Sequence, residues 1–281
     1  MSVTNESHQP AADPHTRKAY YLGHFRRNRE AILAAAGLGL DRPITGCPGW
    51  DVAGLTGHMG RVYTFWLKWV SERPRGFSRE AMSEIAADRD VRLPGYTAWD
   101  QTGFPRDARP DGIVPFARHA GDELDAALVG LEPDEIVWTF IPPRQTGDFV
   151  FRRLAMETTI HRWDAEEAHG IAGRIDDALA RDGIDEMLMQ FREDPAYDVN
   201  RDRRHGQTIL LREDGGAGRW LVSFDQSGIT TAPSAGPADA TVAGTASDLW
   251  LFIMGRRRPE DMRIDGDQSL AAAWGDLAGR F

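Results

Sequence analysis

The sequence predicts an all-α four-helix bundle up to about Gly170 and an α+β unit after it. Three observations carry this. Four segments before Gly170 repeat apolar residues at helical spacing. A connection over residues 71–112, rich in Pro, Gly, Arg and Asp, joins the second segment to the third without strong periodicity. Past Gly170 the texture changes to short runs rich in β-branched and aromatic residues, separated by turn residues.

The first helix is expected over Lys18–Ala36, with Tyr21, Phe25, Ile32, Leu33 and Ala36 on its apolar side and Gly37 closing it. The second starts near Asp51, whose carboxylate suits the free amides of a first turn. It carries Val52, Leu55, Met59, Val62, Tyr63 and Trp66 on one stripe, and Pro74 stops it. Within 71–112 a short helix near Arg79–Ala87 is the most that the pattern supports, and Tyr96, Trp99 and several arginines make the connection a candidate lid or substrate wall. The third helix is expected from Val114 to Val129, and the fourth from Asp148 to Ala168. Then come a helix near Ile175–Gln190 and strands at Thr208–Leu211, Trp220–Phe224, Ile229–Ala232 and Ala240–Val242. A helix at Thr245–Met254 and a short one after Ser269 close the chain. Residues 1–16 are polar and expected to be disordered, which divides the rest into domains over 17–170 and 171–281.

Composition narrows the function. The chain has 281 residues, 41% hydrophobic and 27% charged, the balance of a globular protein. It shows neither a secretory signal nor an apolar run long enough to span a bilayer, so a cytoplasmic location is expected and a membrane partner is not. A net charge of −10 argues against nucleic acid as a partner, because phosphate binding needs a basic field. The two basic clusters, Arg201–Arg204 and Arg256–Arg258, are read as solvated turns. One cysteine, Cys47, permits neither an internal disulfide nor a Cys-rich zinc site.

The informative segment is Glu157-Thr158-Thr159-Ile160-His161-Arg162-Trp163-Asp164. Glu157 and His161 are four apart, so on a helix they are neighbours on one face, and Asp164 stays on that face. Alone this spacing recurs by chance on helix surfaces. His58 supplies the third group. It lies inside the second helix between Gly54, Gly57 and Gly60, each costing about 1 kcal/mol against alanine. A helix carrying three such glycines is expected to gain close approach of a neighbouring backbone, or open space beside His58. Two histidines and a glutamate from two helices make a three-ligand metal site with one position open, the catalytic arrangement rather than the closed structural one. Asp164 is placed to orient a ligand or to move a proton. His169 lies about 12 Å beyond His161 along the axis and is excluded. Cys47 is separated from the site by roughly 10 Å of helix rise and is read as a packing residue.

Cys47-Pro48-Gly49-Trp50-Asp51-Val52 with Leu55 and His58, together with Glu157–Asp164 continuing to Glu166, Ala168 and Gly170, resembles the two signatures of the DinB-like, mycothiol-dependent maleylpyruvate isomerase family. Thr245–Arg256 and Ile264–Asp267 resemble that family's C-terminal domain, itself similar to sterol-carrier-type α+β folds. The resemblance implies a divalent metal, usually zinc, on His58, Glu157 and His161, and a low-molecular-weight thiol, mycothiol, as cosubstrate. It also implies catalytic parts for Asp164 and for an arginine of the C-terminal domain, best matched by Arg256. Gly54 departs from the pattern, standing where the family often has the acid that completes a capping box.

Family members include an isomerase of a ring-cleavage product, S-transferases that detoxify electrophiles, and thiol-exchange enzymes of natural-product pathways. The leading expectation is therefore a mycothiol-dependent transferase or isomerase acting on a small electrophile. Metal-assisted hydrolysis, with Asp164 or Glu166 as base, is the second reading. A metal-binding regulatory module without activity is the third.

Overall fold

The computed structural model describes residues 8–10, 13–71, 110–194, 197, 200–233 and 236–279. The expected helix near Arg79–Ala87 and the substrate wall with Tyr96 and Trp99 lie outside the described residues. Two compact units divide the chain, one over Ala12–Gly173 and one formed by Met1–Ala11 with Arg174–Phe281.

The first unit is built on four long helices among its described residues: α1 (Pro14–Leu38), α2 (Val52–Ser71), α3 (Pro110–Val129) and α4 (Gly147–Glu167). Each matches a segment read from apolar spacing, with α4 ending at Glu167 rather than Ala168. α1 begins four residues before the expected Lys18. Asp13 accepts hydrogen bonds from the His15 and Thr16 amides at 3.0 and 3.2 Å, and Pro14 sits at the first helical position, where its missing N–H costs nothing. α2 starts as expected, with Asp51 accepting from the Gly54 amide at 2.7 Å. α1 packs chiefly on α4, and α2 on α3. Phe25 and Tyr63, both buried, join α1 to α2 edge to face with centroids 5.6 Å apart.

One of the three α2 glycines has a clear reason. A Cβ at Gly60 would lie 3.2 Å from Ala117 Cα and closer still to the Phe116 ring, so α3 approaches as near as it does only because no side chain is there. Gly60 is two residues past His58 and therefore faces away from it, leaving the His58 face for α4.

The second unit opens with α5 (Asp177–Glu193), capped by Asp176, which accepts from the Leu179 amide at 3.0 Å. Five strands follow: β1 (Gln207–Glu213), β2 (Arg219–Asp225), β3 (Gly228–Ala232), β4 (Ala240–Gly244) and β5 (Arg263–Gly266), in the order β3-β2-β1-β4-β5. β1 pairs with β4 in parallel, and the other pairings are antiparallel. β2 shows the period of a half-buried strand, with Trp220, Val222 and Phe224 buried and Leu221 and Ser223 less so. α6 (Ala246–Ile253), α7 (Gln268–Ala272) and α8 (Trp274–Ala278) complete the unit. Trp250 of α6 lies over Gly183 of α5, where a Cβ would meet the indole ring.

Two expectations need correction here. Polarity alone predicts disorder through residue 16, yet α1 already includes Pro14, His15 and Thr16. His8 is also held on the second unit: its backbone N–H and its Nδ1 reach Asp185 Oδ2 at 3.1 and 2.9 Å. The basic cluster Arg201–Arg204 is solvated only in its first three members. Arg204 is 1% exposed and donates to the carbonyls of Leu277 and Tyr197, both at 2.9 Å. Its guanidinium ties two backbone carbonyls that are distant in sequence.

Candidate metal centre

The structure brings His58, Glu157 and His161 together. On α4 the i,i+4 spacing sets His161 one turn beyond Glu157, with its Nε2 3.3 Å from Glu157 Oε1. From α2, His58 Nε2 comes to 3.4 Å from the same oxygen. One potential ligand atom from each residue lies within 4.8 Å of the other two. Both histidines are buried, and the Glu157 side chain is 13% exposed. The two imidazoles meet edge to face, centroids 5.0 Å apart.

Neighbouring groups decide the charge of these three. Arg153, one turn before Glu157 on α4, forms an ion pair with Glu157 Oε2 and leaves Oε1 to the imidazoles. Burial opposes a charge on Glu157, but the Arg153 guanidinium and the two histidines outweigh it and hold the carboxyl well below the usual range. Burial pushes His58 down, toward the neutral imidazole that a metal needs. For His161 burial is overcome by hydrogen bonds to Asp164 and Glu157, and its affinity for a proton rises. That ring sits between two carboxylates, a place that favours positive charge.

Asp164, 1% exposed, stands on the far side of the His161 ring, its Oδ2 3.1 Å from Nδ1. A carboxylate only accepts, so Nδ1 carries a hydrogen, and Nε2 is turned to Glu157 and His58.

Trp50 and Cys47 complete the surroundings. The Trp50 ring lies nearly parallel to His161, centroids 6.4 Å apart and planes 16° apart, and 4.8 Å from the His58 ring. Cys47 is not the remote packing residue expected from helix rise. Its Sγ is 3.8 Å from Asp164 Oδ2, and Sγ, an Asp164 oxygen and a His161 nitrogen all lie within 4.8 Å of one another. The loop before α2 turns back on itself. Pro43 bridges Asp51, the Ile44 amide donates to Trp50 O at 2.9 Å, the Trp50 amide donates to Cys47 O at 3.0 Å, and Gly49 takes a φ of 89°. The Pro48-Gly49 pair signals that turn in the sequence, and the i,i+4 spacing signals Arg153. Sequence reasoning missed both as parts of the site.

The other histidines lie apart from this cluster. His169 packs by Gly39, His119 is exposed beside Glu123, and His24 packs on Tyr20. Arg256 belongs to the other unit, just past α6, where its Nη1 donates to Met254 O at 2.7 Å. Glu166 pairs with Arg162 at 2.6 Å. No helix among the described residues is long and apolar enough to cross a membrane.

Comparison with known proteins adds the family. Residues 21–166 match the mycothiol maleylpyruvate isomerase N-terminal domain, and residues 178–273 match the C-terminal domain that accompanies it. No curated protein matches the chain. Among solved structures, a histidine-to-alanine mutant of the mycothiol-dependent maleylpyruvate isomerase is 13% identical, covering 88% of this chain and 92% of its own, with a TM-score of 0.52. The crystal structure of the mycothiol-dependent maleylpyruvate isomerase without that change is 14% identical over 85% and 90%, with a TM-score of 0.50. At such identity these structures show a shared fold, and the two domain matches carry the assignment: the chain belongs to the mycothiol-dependent maleylpyruvate isomerase family.

Proposed function

We propose that the protein is a metal-dependent enzyme that uses a low-molecular-weight thiol, mycothiol, to isomerise or to S-conjugate a small electrophilic metabolite. The single observation behind this reading is the approach of His58 Nε2 and His161 Nε2 to one oxygen of Glu157. Two imidazole nitrogens and an anionic oxygen are the donor set of a catalytic zinc site, and three protein ligands leave a position for the thiol. The fit rests on charge as well as distance. Glu157 is held ionised by Arg153, and the ring of His161 is set where positive charge is favoured.

His58, Glu157 and His161 would hold the metal. When bound, a divalent cation such as zinc lowers the pKa of a coordinated thiol, so that thiolate is present near neutral pH. Asp164 keeps Nδ1 of His161 protonated and the ring in register, as outer carboxylates do for metal-binding histidines. Trp50 stands beside both imidazoles, tilted to the His58 ring and nearly parallel to that of His161. Arg256 enters this reading through the resemblance alone, which implies a catalytic part for an arginine of the C-terminal domain. The thiolate adds to an electrophilic carbon of the substrate. Rotation and expulsion of the thiol give isomerisation; release of the adduct gives transfer. A role in natural-product chemistry is one destination for such transfer.

The test is metal analysis of the purified protein joined to turnover assays with mycothiol and either maleylpyruvate or a bimane electrophile. One zinc per chain and thiol-dependent turnover of one of these substrates are expected. Stoichiometric metal with no turnover of either would leave a binding module. Turnover of an ester or amide without thiol would mark a hydrolase instead.

A further inference from the structure

Oδ2 of Asp164 receives donors from two directions. One is His161 Nδ1 at 3.1 Å, from the same helix, and the other is Cys47 Sγ at 3.8 Å, from the loop before α2. A thiol is a weak donor and an ionised carboxylate only accepts, so the sense of the contact is fixed, with Sγ–H donating to Oδ2. The loop that carries Cys47 is itself tied down. The Cys47 amide donates to Ile44 O at 3.2 Å, and the Val52 amide donates to Arg42 O at 2.9 Å. These bonds, made within the segment that leads into α2, hold the backbone that carries the thiol. Trp50, three residues on, lies against the rings of both histidines. One loop thus brings both the Trp50 ring beside His161 and the Cys47 thiol onto Asp164.

We propose that Cys47 is a positioning residue of this site. Its thiol holds Asp164 in the orientation that accepts from Nδ1 of His161 and so sets the ring with Nε2 toward Glu157 and His58. The proposal rests on the reading of His58, Glu157 and His161 as metal ligands.

The experiment is a double-mutant cycle read by zinc affinity, using chelator competition on the full chain as wild type, Cys47→Ala, Cys47→Ser, Asp164→Asn and the Cys47→Ala/Asp164→Asn double variant. Loss of an outer support typically weakens metal binding about 10–100-fold. We expect Cys47→Ala to fall near the lower end, about 10-fold, and Cys47→Ser, which keeps a donor, to recover most of it. The double variant should bind no more weakly than Asp164→Asn alone. Unchanged affinity in Cys47→Ala, or losses that multiply in the double variant, would overturn the proposal while leaving the ligand reading intact. A wild type that binds no zinc would overturn both. Cobalt-loaded wild type gives a second readout: a sulfur-to-cobalt charge-transfer band that vanishes in Cys47→Ala would make Cys47 a ligand, against the proposal.

Discussion

Each unit of this protein sets a histidine against a buried carboxylate, and only one of the two pairs has the makings of a reactive site. In the bundle, His161 Nδ1 meets Asp164 Oδ2 at 3.1 Å. In the second unit, His8 Nδ1 meets Asp185 Oδ2 at 2.9 Å. Asp164 and Asp185 are similarly buried, at 1% and 5% exposure. The difference lies in what else converges. Asp185 gives its other oxygen to the Trp220 indole N–H at 2.6 Å, so both oxygens are occupied and the network ends in a packed ring. Beyond His161, the second ring nitrogen faces Glu157, and a second imidazole arrives from another helix. A buried His–Asp pair is thus a clasp in one place and half of a candidate metal centre in the other; the second acid and second histidine make the distinction.

The sharpest way to break this comparison is to remove each histidine. His161→Ala should lose its zinc and reduce turnover to background, whereas His8→Ala should keep one zinc per chain. Metal analysis of the two variants checks this, and full zinc occupancy in His161→Ala would end the distinction. Exchanging the carboxylates has a smaller effect. Asp164→Asn should weaken zinc about 10–100-fold. Asp185→Ala leaves the Trp220 N–H, in a fully buried ring, without its acceptor; stability should fall by about 1–3 kcal/mol with zinc affinity unchanged. Urea midpoints and chelator competition on both variants separate the two outcomes, and a zinc defect in Asp185→Ala would contradict the assignment of that network as a clasp.

How much of this is legible in the sequence depends on whether the contact is local. Glu157 and His161 are brought together by helix geometry itself, so their spacing suffices. The Asp51 cap and the runs that form β1 to β4 are legible for the same reason: short-range chemistry specifies them. Counting distance along a helix misplaces Cys47, because the chain reverses at Pro48-Gly49 before the helix begins. β5 escapes a reading by pattern because its four residues, Arg263–Gly266, include only Ile264 as an apolar side chain. An edge strand with little burial has no alternation to detect, and its pairing with β4 supplies what the pattern lacks. The order of His8 is invisible in its own neighbourhood because the partner that fixes it, Asp185, is 177 positions away.

The smallest expected effect follows from the same clasp and has a definite sign. The hydrogen bond to Asp185 raises the His8 pKa above its ordinary value of 6.5, outweighing partial burial and the nearby Arg181, while Glu213 adds to the rise. The folded chain therefore binds this proton more tightly than the unfolded chain does. The stabilisation is fully present below about pH 6.5 and is lost as pH rises through the folded value. Because the His8 side chain is partly exposed, solvent screens the pair, and a contribution of at most about 1 kcal/mol is expected. Urea midpoints of wild type and His8→Ala between about pH 5.5 and 8.5 should differ most at the acid end and converge toward the alkaline end. A gap that widens with rising pH would mean that His8 stabilises the fold as the neutral ring, and the charged clasp on Asp185 would have to be abandoned.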